Sequence, residues 1–267
     1  MLAPLDNGTV FKAAFTDMTV FKQFVKDIIG IDITVAKIET EKKFKPKAGN
    51  IDITFDIFAE SIDHRVIIEI QRIDYDYHFD RFLHYFIAAI AELQRSSMLY
   101  SIGCTVYTIV VLTAPYKLDE TRHQPIHDEV LITSLDPRNL QDKVVTLFGH
   151  KLIFLNHHYR NQNTPTNYLD WLDLFYQSIH QPEHYQVNLK NQGVRRAVQL
   201  IEYENLSPEQ MHLMKVDTQR KIVLGFEREE GKKDKALEIA KLMKAEGETS
   251  EKIARYSGLS KTEIENL

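Results

Sequence analysis

The chain has 267 residues, 43% of them apolar and 27% charged, with a net charge of −5. It is too apolar to stay disordered and has no global basic excess, so any affinity for nucleic acid must come from local potential or from metal ions that offset acidic groups. The single cysteine, Cys104, excludes an intramolecular disulfide, and no paired Cys/His spacing of the zinc type occurs.

The first residues carry an acid where a signal peptide has its basic region. The longest weakly charged run, residues 102–115, is far short of the ~20 residues that a membrane helix needs. The expectation is a cytoplasmic protein in a reducing compartment, without a membrane partner. The length predicts one domain with an appendage, or two small ones.

Apolar residues recur every three to four positions from Phe11 to Ile28, which predicts one amphipathic helix over 9–29, or two divided near Thr16-Asp17, ended by Gly30. Residues 35–44 read as a strand and 45–50 as a loop. Residues 51–58 alternate with period two, which places Ile51, Ile53, Phe55 and Ile57 on one face and Asp52, Thr54 and Asp56 on the other. A turn at 61–64 returns the chain along 65–71, so the two strands form a hairpin.

Residues 77–100 fit a long helix with one buried stripe, and 105–113 a buried strand stopped by Pro115. Further strand is expected within 141–159, best at 151–155, and a core-facing helix at 167–179 around Trp171. Helices follow at 192–203 and 207–224, the second opened by Ser207-Pro208. The charge mixture at 226–235 reads as a solvated linker or a helix surface, and 236–267 as a helix up to Gly247 followed by helix, turn, helix over 250–267. Domain boundaries are expected at 1–182 and 183–267.

The chemistry centres on residues 56–71. Hydrolysis of a phosphodiester at neutral pH needs a metal that binds the phosphate and lowers the pKa of the attacking water. Hard oxygen ligands suit Mg²⁺, which takes one or two carboxylates and keeps several waters. Asp56 and Glu69 on adjacent strands can supply those carboxylates, with the Ile70 carbonyl as a third ligand and Gln71 on the side of Glu69. By pattern alone, solvated outer-face acids are the commoner explanation of such a hairpin. The apolar run Val66-Ile67-Ile68 makes an unpaired Glu69 expensive and so leans toward a ligand.

These residues occur in a wider arrangement. Phe11-Lys12-x-x-Phe15 precedes Asp56-x(12)-Glu69-x-Gln71, and Arg81-x-x-x-Tyr85 and the strand Val106-Tyr107-x-Ile109-x-Val111-Leu112 follow. The arrangement resembles the PD-(D/E)xK nuclease family transposases, also called recombination-promoting nucleases. The tail from Ala236 to Gly247 and from Ile253 to Glu265 looks like the one such proteins often carry.

The resemblance implies an α/β fold: a restriction-endonuclease-like core, with a mixed central β-sheet flanked by helices, and an α-helical C-terminal extension. It implies Mg²⁺-dependent DNA endonuclease activity, with Mn²⁺ as an alternative ion, in a protein linked to recombination and mobile elements. Asp56 and Glu69 then hold the metal. Gln71 stands where most such nucleases have a lysine that orients the attacking water and stabilises negative charge. Lys12 is the candidate substitute, against an ordinary helix-surface lysine. Arg81 with Tyr85 either meets a phosphate or braces Gln71, against a salt bridge from Arg81 to Asp76 or Asp80. The alternative function is a degenerate nuclease fold that only binds DNA or a protein.

Three other features are read as structural. Asp52 is a solvated strand residue or an outer-shell group. His157-His158 and the scattered His64, His78, His84, His123 and His127 lack a third ligand at sensible spacing, so they read as surface or core histidines. Residues 226–267 carry nine Lys/Arg against ten Asp/Glu, a poor match to a phosphate backbone, so the tail is expected to pack or to build a homo-oligomer.

Overall fold

The computed structural model describes residues 1–44, 53–71, 79–93, 102–116 and 128–267. Two compact units divide the chain, Met1–Met214 and Lys215–Leu267.

The N-terminal apolar pattern resolves into two helices, α1 (Gly8–Phe15) and α2 (Met18–Ile29). Asp17 forces the division: its side chain accepts from the amides of Thr19 at 2.9 Å and Val20 at 3.3 Å, which caps α2. Gly30 ends α2 at φ +81°, a left-handed conformation that glycine adopts without strain.

The sheet begins with β1 (Ile38–Phe44), β2 (Ile53–Glu60) and β3 (His64–Gln71), an antiparallel meander whose second turn is closed by Ser61 Oγ, which accepts from His64 N at 3.0 Å. The helix α3 (Phe79–Ala91) crosses to β4 (Thr105–Leu112), which lies parallel to β3. β6 (Lys151–Asn156) is parallel to β4, and the edge strand β5 (Val130–Ser134) is antiparallel to β6. The order is β1-β2-β3-β4-β6-β5, a mixed six-stranded sheet. β5 falls in a stretch where the sequence pattern gives no strand, and the rest of the long helix expected at 77–100 lies mostly outside the described residues.

One face of the sheet packs on α1, α2, α4 (Thr166–His180) and α5 (Gln192–Ile201), with Phe11, Phe15, Phe24, Trp171 and Phe175 fully buried between them. The other face packs on Phe82, Phe86 and Ala89 of α3. The chain start is pinned into the first unit: Leu2 N donates to Pro182 O at 2.9 Å and Ala3 N to Ile201 O at 2.7 Å.

The period-two reading of β2 needs correction. Ile53 and Phe55 lie in the α3 cluster, whereas Ile57 lies in the opposite one, so the strand exchanges faces at Asp56. β1 does the same, with Ile38 on one side and Phe44 on the other, although both positions are even. In β1 the exchange coincides with Glu41, whose φ of +51° is left-handed.

In the second unit, α6 (Pro208–Ala245) starts before the division and continues as one helix through residues 226–235, which are helix surface rather than linker. Ser207 Oγ accepts from Gln210 N at 3.1 Å and Gln210 Oε1 from Ser207 N at 2.8 Å, a reciprocal cap at its start. α7 (Ser250–Ser257) and α8 (Lys261–Glu265) fold onto its end around Ala240, Ile253, Leu259 and Ile264. No helix among the described residues is long and apolar enough to cross a membrane.

Candidate active site

The antiparallel register of β1 with β2 passes from Thr40↔Ile57 to Lys42↔Phe55, which puts Glu41 across from Asp56. On the other side of β2 the ladder with β3 runs from Glu60↔Arg65 to Ile57↔Ile68, so the next row pairs Asp56 with Glu69. In that row side chains replace the backbone ladder. Asp56 N donates to Glu69 Oε1 at 2.9 Å, and Ile70 N donates to Asp56 Oδ2 at 3.1 Å. Each carboxylate therefore accepts from an amide of the facing strand, and both are held where the backbone pairing ends.

Glu69 is 4% exposed and Asp56 half-buried. Burial, and after it the neighbouring Asp56 charge, pushes the Glu69 carboxyl well above the usual carboxylate range. The Asp56 amide, Arg81 and Lys12 act in the opposite direction without cancelling it. Two acids in one row, one of them desolvated, form a negative site built from oxygen donors alone.

Lys12 projects from α1 and its Nζ pairs with Glu41 Oε1 at 2.6 Å. It exerts a positive field on Glu69 while engaged by the acid across from Asp56. Glu41 is a site residue that sequence reasoning missed. Nothing in the run Glu39-Thr40-Glu41-Lys42-Lys43 distinguishes it, and only the strand register brings it into the row.

Gln71 ends β3 beside Leu112 of β4, and its carbonyl accepts from Thr113 N at 3.2 Å and Thr113 Oγ1 at 2.9 Å. Ile70 has a side chain 7% exposed, and its amide is the group bonded to Asp56. On α3, Arg81 Nε donates to Tyr85 Oη at 3.2 Å, its guanidinium lies 5.1 Å from that ring, and the ring meets Phe55 edge-on at 5.7 Å. Asp52, Asp76 and the stretch 75–78 lie outside the described residues.

A second missed residue is Arg65, one row before the hairpin turn. It is 4% exposed, is paired with Glu60 and Glu92, and its guanidinium lies 5.2 Å and 5.3 Å from the rings of Phe44 and Phe58. It braces β3 against α3 and takes no part in the acidic row.

The histidines also need correction. His157 and His158 acquire a third neighbour, His180, which is twenty-two residues from His158 in sequence and brought beside it by α4. His64 packs against Tyr107, and His78, His123 and His127 lie outside the described residues.

A mixed sheet with α1 and α2 on one face and α3 on the other, and an acidic pair where a β-hairpin ladder ends, define a restriction-endonuclease-like protein. The family model described as PD-(D/E)XK nuclease family transposase matches residues 9–223, and the chain belongs to that family. No curated protein and no solved structure matches the chain.

Proposed function

We propose that the protein is a divalent-metal-dependent DNA endonuclease, with Mg²⁺ as the resident ion and Mn²⁺ able to replace it. The observation that carries this reading is the reciprocal bonding of Asp56 and Glu69 to amides of the facing strands, which keeps two carboxylates together despite their repulsion. The donor set fits a hard cation: carboxylate oxygens, one of them desolvated, with no sulfur or imidazole in the row. Asp56 and Glu69 would hold the ion, with the Ile70 carbonyl as a further ligand. When bound, it would supply charge for the scissile phosphate and acidify the attacking water.

The chain's own residues do the positioning. Gln71 directs amide hydrogen bonds at the attacking water and contributes no charge, so the positive field at the reacting phosphate falls to Lys12. Arg81, steadied by Tyr85, offers its remaining N–H donors to a backbone phosphate. This machinery lies within residues 1–182, α5 (Gln192–Ile201) packs onto the same unit, and the helical tail beyond Met214 is available for self-association. The substrate places the protein with cytoplasmic DNA, in the recombination of mobile elements.

The test is cleavage of supercoiled plasmid. The wild type nicks or linearises DNA with Mg²⁺ or Mn²⁺ and is inert in chelator. Asp56→Ala and Glu69→Ala each lose several kcal/mol of transition-state stabilisation, about a thousandfold in rate. Intact plasmid together with no metal-dependent thermal shift in the wild type would overturn the reading.

A second reading has its own observation: Gln71 holds the lysine position, and Lys12 is tied to Glu41 at 2.6 Å. On that reading the fold binds DNA or a protein without cutting. Metal-independent binding of duplex DNA in fluorescence anisotropy, with no cleavage by either wild type or the Asp56→Ala/Glu69→Ala double variant, selects it.

A further inference from the structure

β6 ends at Asn156, whose side chain accepts from His158 N at 3.1 Å and donates to Ala114 O at 2.9 Å. This clamp turns the chain into a 3-10 helix, His157–Tyr159, and brings two consecutive histidines off the end of the sheet. α4 ends at His180. The rings of His157 and His158 lie 4.3 Å apart, those of His157 and His180 5.6 Å, and those of His158 and His180 5.5 Å. One ring nitrogen from each falls within 4.8 Å of the other two.

We propose that His157, His158 and His180 form a binding site for a first-row divalent transition-metal ion, Zn²⁺ foremost, separate from the carboxylate row of Asp56 and Glu69.

His157 supplies the first argument. It is fully buried, and neither of its ring nitrogens has a hydrogen-bond partner among the described residues. A buried imidazole with both nitrogens idle costs free energy, and a core position needing only bulk is filled better by an apolar residue. Coordination of one nitrogen removes much of that cost.

His158 supplies the second. Its Nε2 lies 3.3 Å from the Thr113 carbonyl. A ligating histidine characteristically donates its other ring N–H to a carbonyl or carboxylate, which sets the tautomer and aims the free nitrogen. With Nε2–H directed at Thr113, Nδ1 is the nitrogen left as an acceptor. The ring of Tyr176 lies 4.7 Å from that of His180.

The donor chemistry selects the ion. Three imidazole ligands suit Zn²⁺, Cu²⁺ or Ni²⁺ and bind Mg²⁺ poorly. A tetrahedral Zn²⁺ with bonds near 2.0–2.1 Å requires ligand atoms about 3.3 Å apart, so the rings have to draw in, and His180 is exposed and can rotate. Arg160 opposes a cation, but it is paired with Asp173 at 2.5 Å and its guanidinium sits 3.5 Å over the ring of Tyr176. Three protein ligands leave a fourth position for water or an anion. Thr113, which faces His158 through its carbonyl, holds the Gln71 carbonyl through its amide and hydroxyl, so the ion would tie β4, β6 and α4 together at the end of the sheet where Gln71 lies.

The test uses chelator-stripped full-length protein titrated with Zn²⁺ by calorimetry and with Co²⁺ by visible absorption. One equivalent of Zn²⁺ is expected, with intense tetrahedral Co²⁺ bands, in the wild type and in the Asp56→Ala/Glu69→Ala variant alike. Loss of outer-shell partners alone costs about 10–100-fold in metal affinity, so His180→Ala, at an exposed helix end, is expected to weaken Zn²⁺ binding at least that much. His158→Asn, which leaves the buried ring in place, is expected to do the same. No Zn²⁺ bound by the wild type, unchanged affinity in both histidine variants, or loss of binding in the carboxylate variant would each overturn the proposal.

Discussion

Glu69 is where folding and chemistry disagree most sharply. A carboxylate on a central strand, flanked by Ile68 and Ile70, gives up its hydration and faces the charge of Asp56. Its folded-state pKa is raised, so the unfolded chain releases its proton at lower pH than the native protein does. The favourable term is therefore present below the unfolded pKa and is lost as pH rises through the folded one. In metal-free protein, Glu69→Gln is expected to raise the thermal midpoint at neutral and alkaline pH and to flatten its decline with pH, since the amide oxygen can still accept from Asp56 N. The same substitution is expected to abolish the upward shift that Mg²⁺ or Mn²⁺ gives the wild type. Differential scanning calorimetry from pH 5 to pH 8.5, with and without metal, checks both outcomes.

At the scale of elements, the row formed by Glu41, Asp56 and Glu69 depends on a defect shared by two strands. Both strands exchange faces at this row, where Glu41 is left-handed, and beyond it Phe44, Ile53 and Phe55 join the α3 cluster. The opposite layer is set by close helix packing. A Cβ added at Gly193 at the start of α5 would lie 2.6 Å from Gln23 Cβ on α2 and 2.9 Å from the Trp171 ring. Trp171 Nε1 and Asn191 Nδ2 both donate to Asp27 on α2, at 2.8 Å and 2.9 Å, so the helices cannot separate freely. Gly193→Ala is expected to cost about 1–3 kcal/mol by overpacking. In a unit of this size that lowers the melting temperature by several degrees, roughly 2–4 °C per kcal/mol, measured by circular dichroism.

At the scale of the whole molecule, the two compact units rest on cores of very different size. The first encloses both faces of a six-stranded sheet, whereas among the described residues the second buries Ala240, Ile253, Leu259 and Ile264. So small a core is the low-stability end of the chain. Capping reinforces it: Ser260 and Glu263 bond reciprocally at the start of α8, and Lys261 pairs with Glu251 at 2.7 Å. Ile253→Ala, at about 2–5 kcal/mol for a buried large-to-small change, exceeds what that core can lose. The expected outcome is loss of hydrogen-exchange protection in residues 250–265, with the melting temperature of the first unit unchanged.

Local pattern was sufficient for much of this. The β2–β3 hairpin, the two N-terminal helices, β4, β6 and α4 are legible because alternation, capping residues such as Asp17 and Ser207, and breakers such as Gly30 act within a few positions. Asp56 and Glu69 were legible for the same reason, since a tight hairpin converts thirteen residues of separation into one row. β5 was not, because an edge strand with exposed side chains carries little periodicity. The face exchange at Asp56, the pairing of Lys12 with Glu41 and the meeting of His157, His158 and His180 were decided by tertiary structure alone. The two meetings join segments whose separation along the chain carries no pattern, and only the packing of α1 and α4 against the finished sheet brings them within reach.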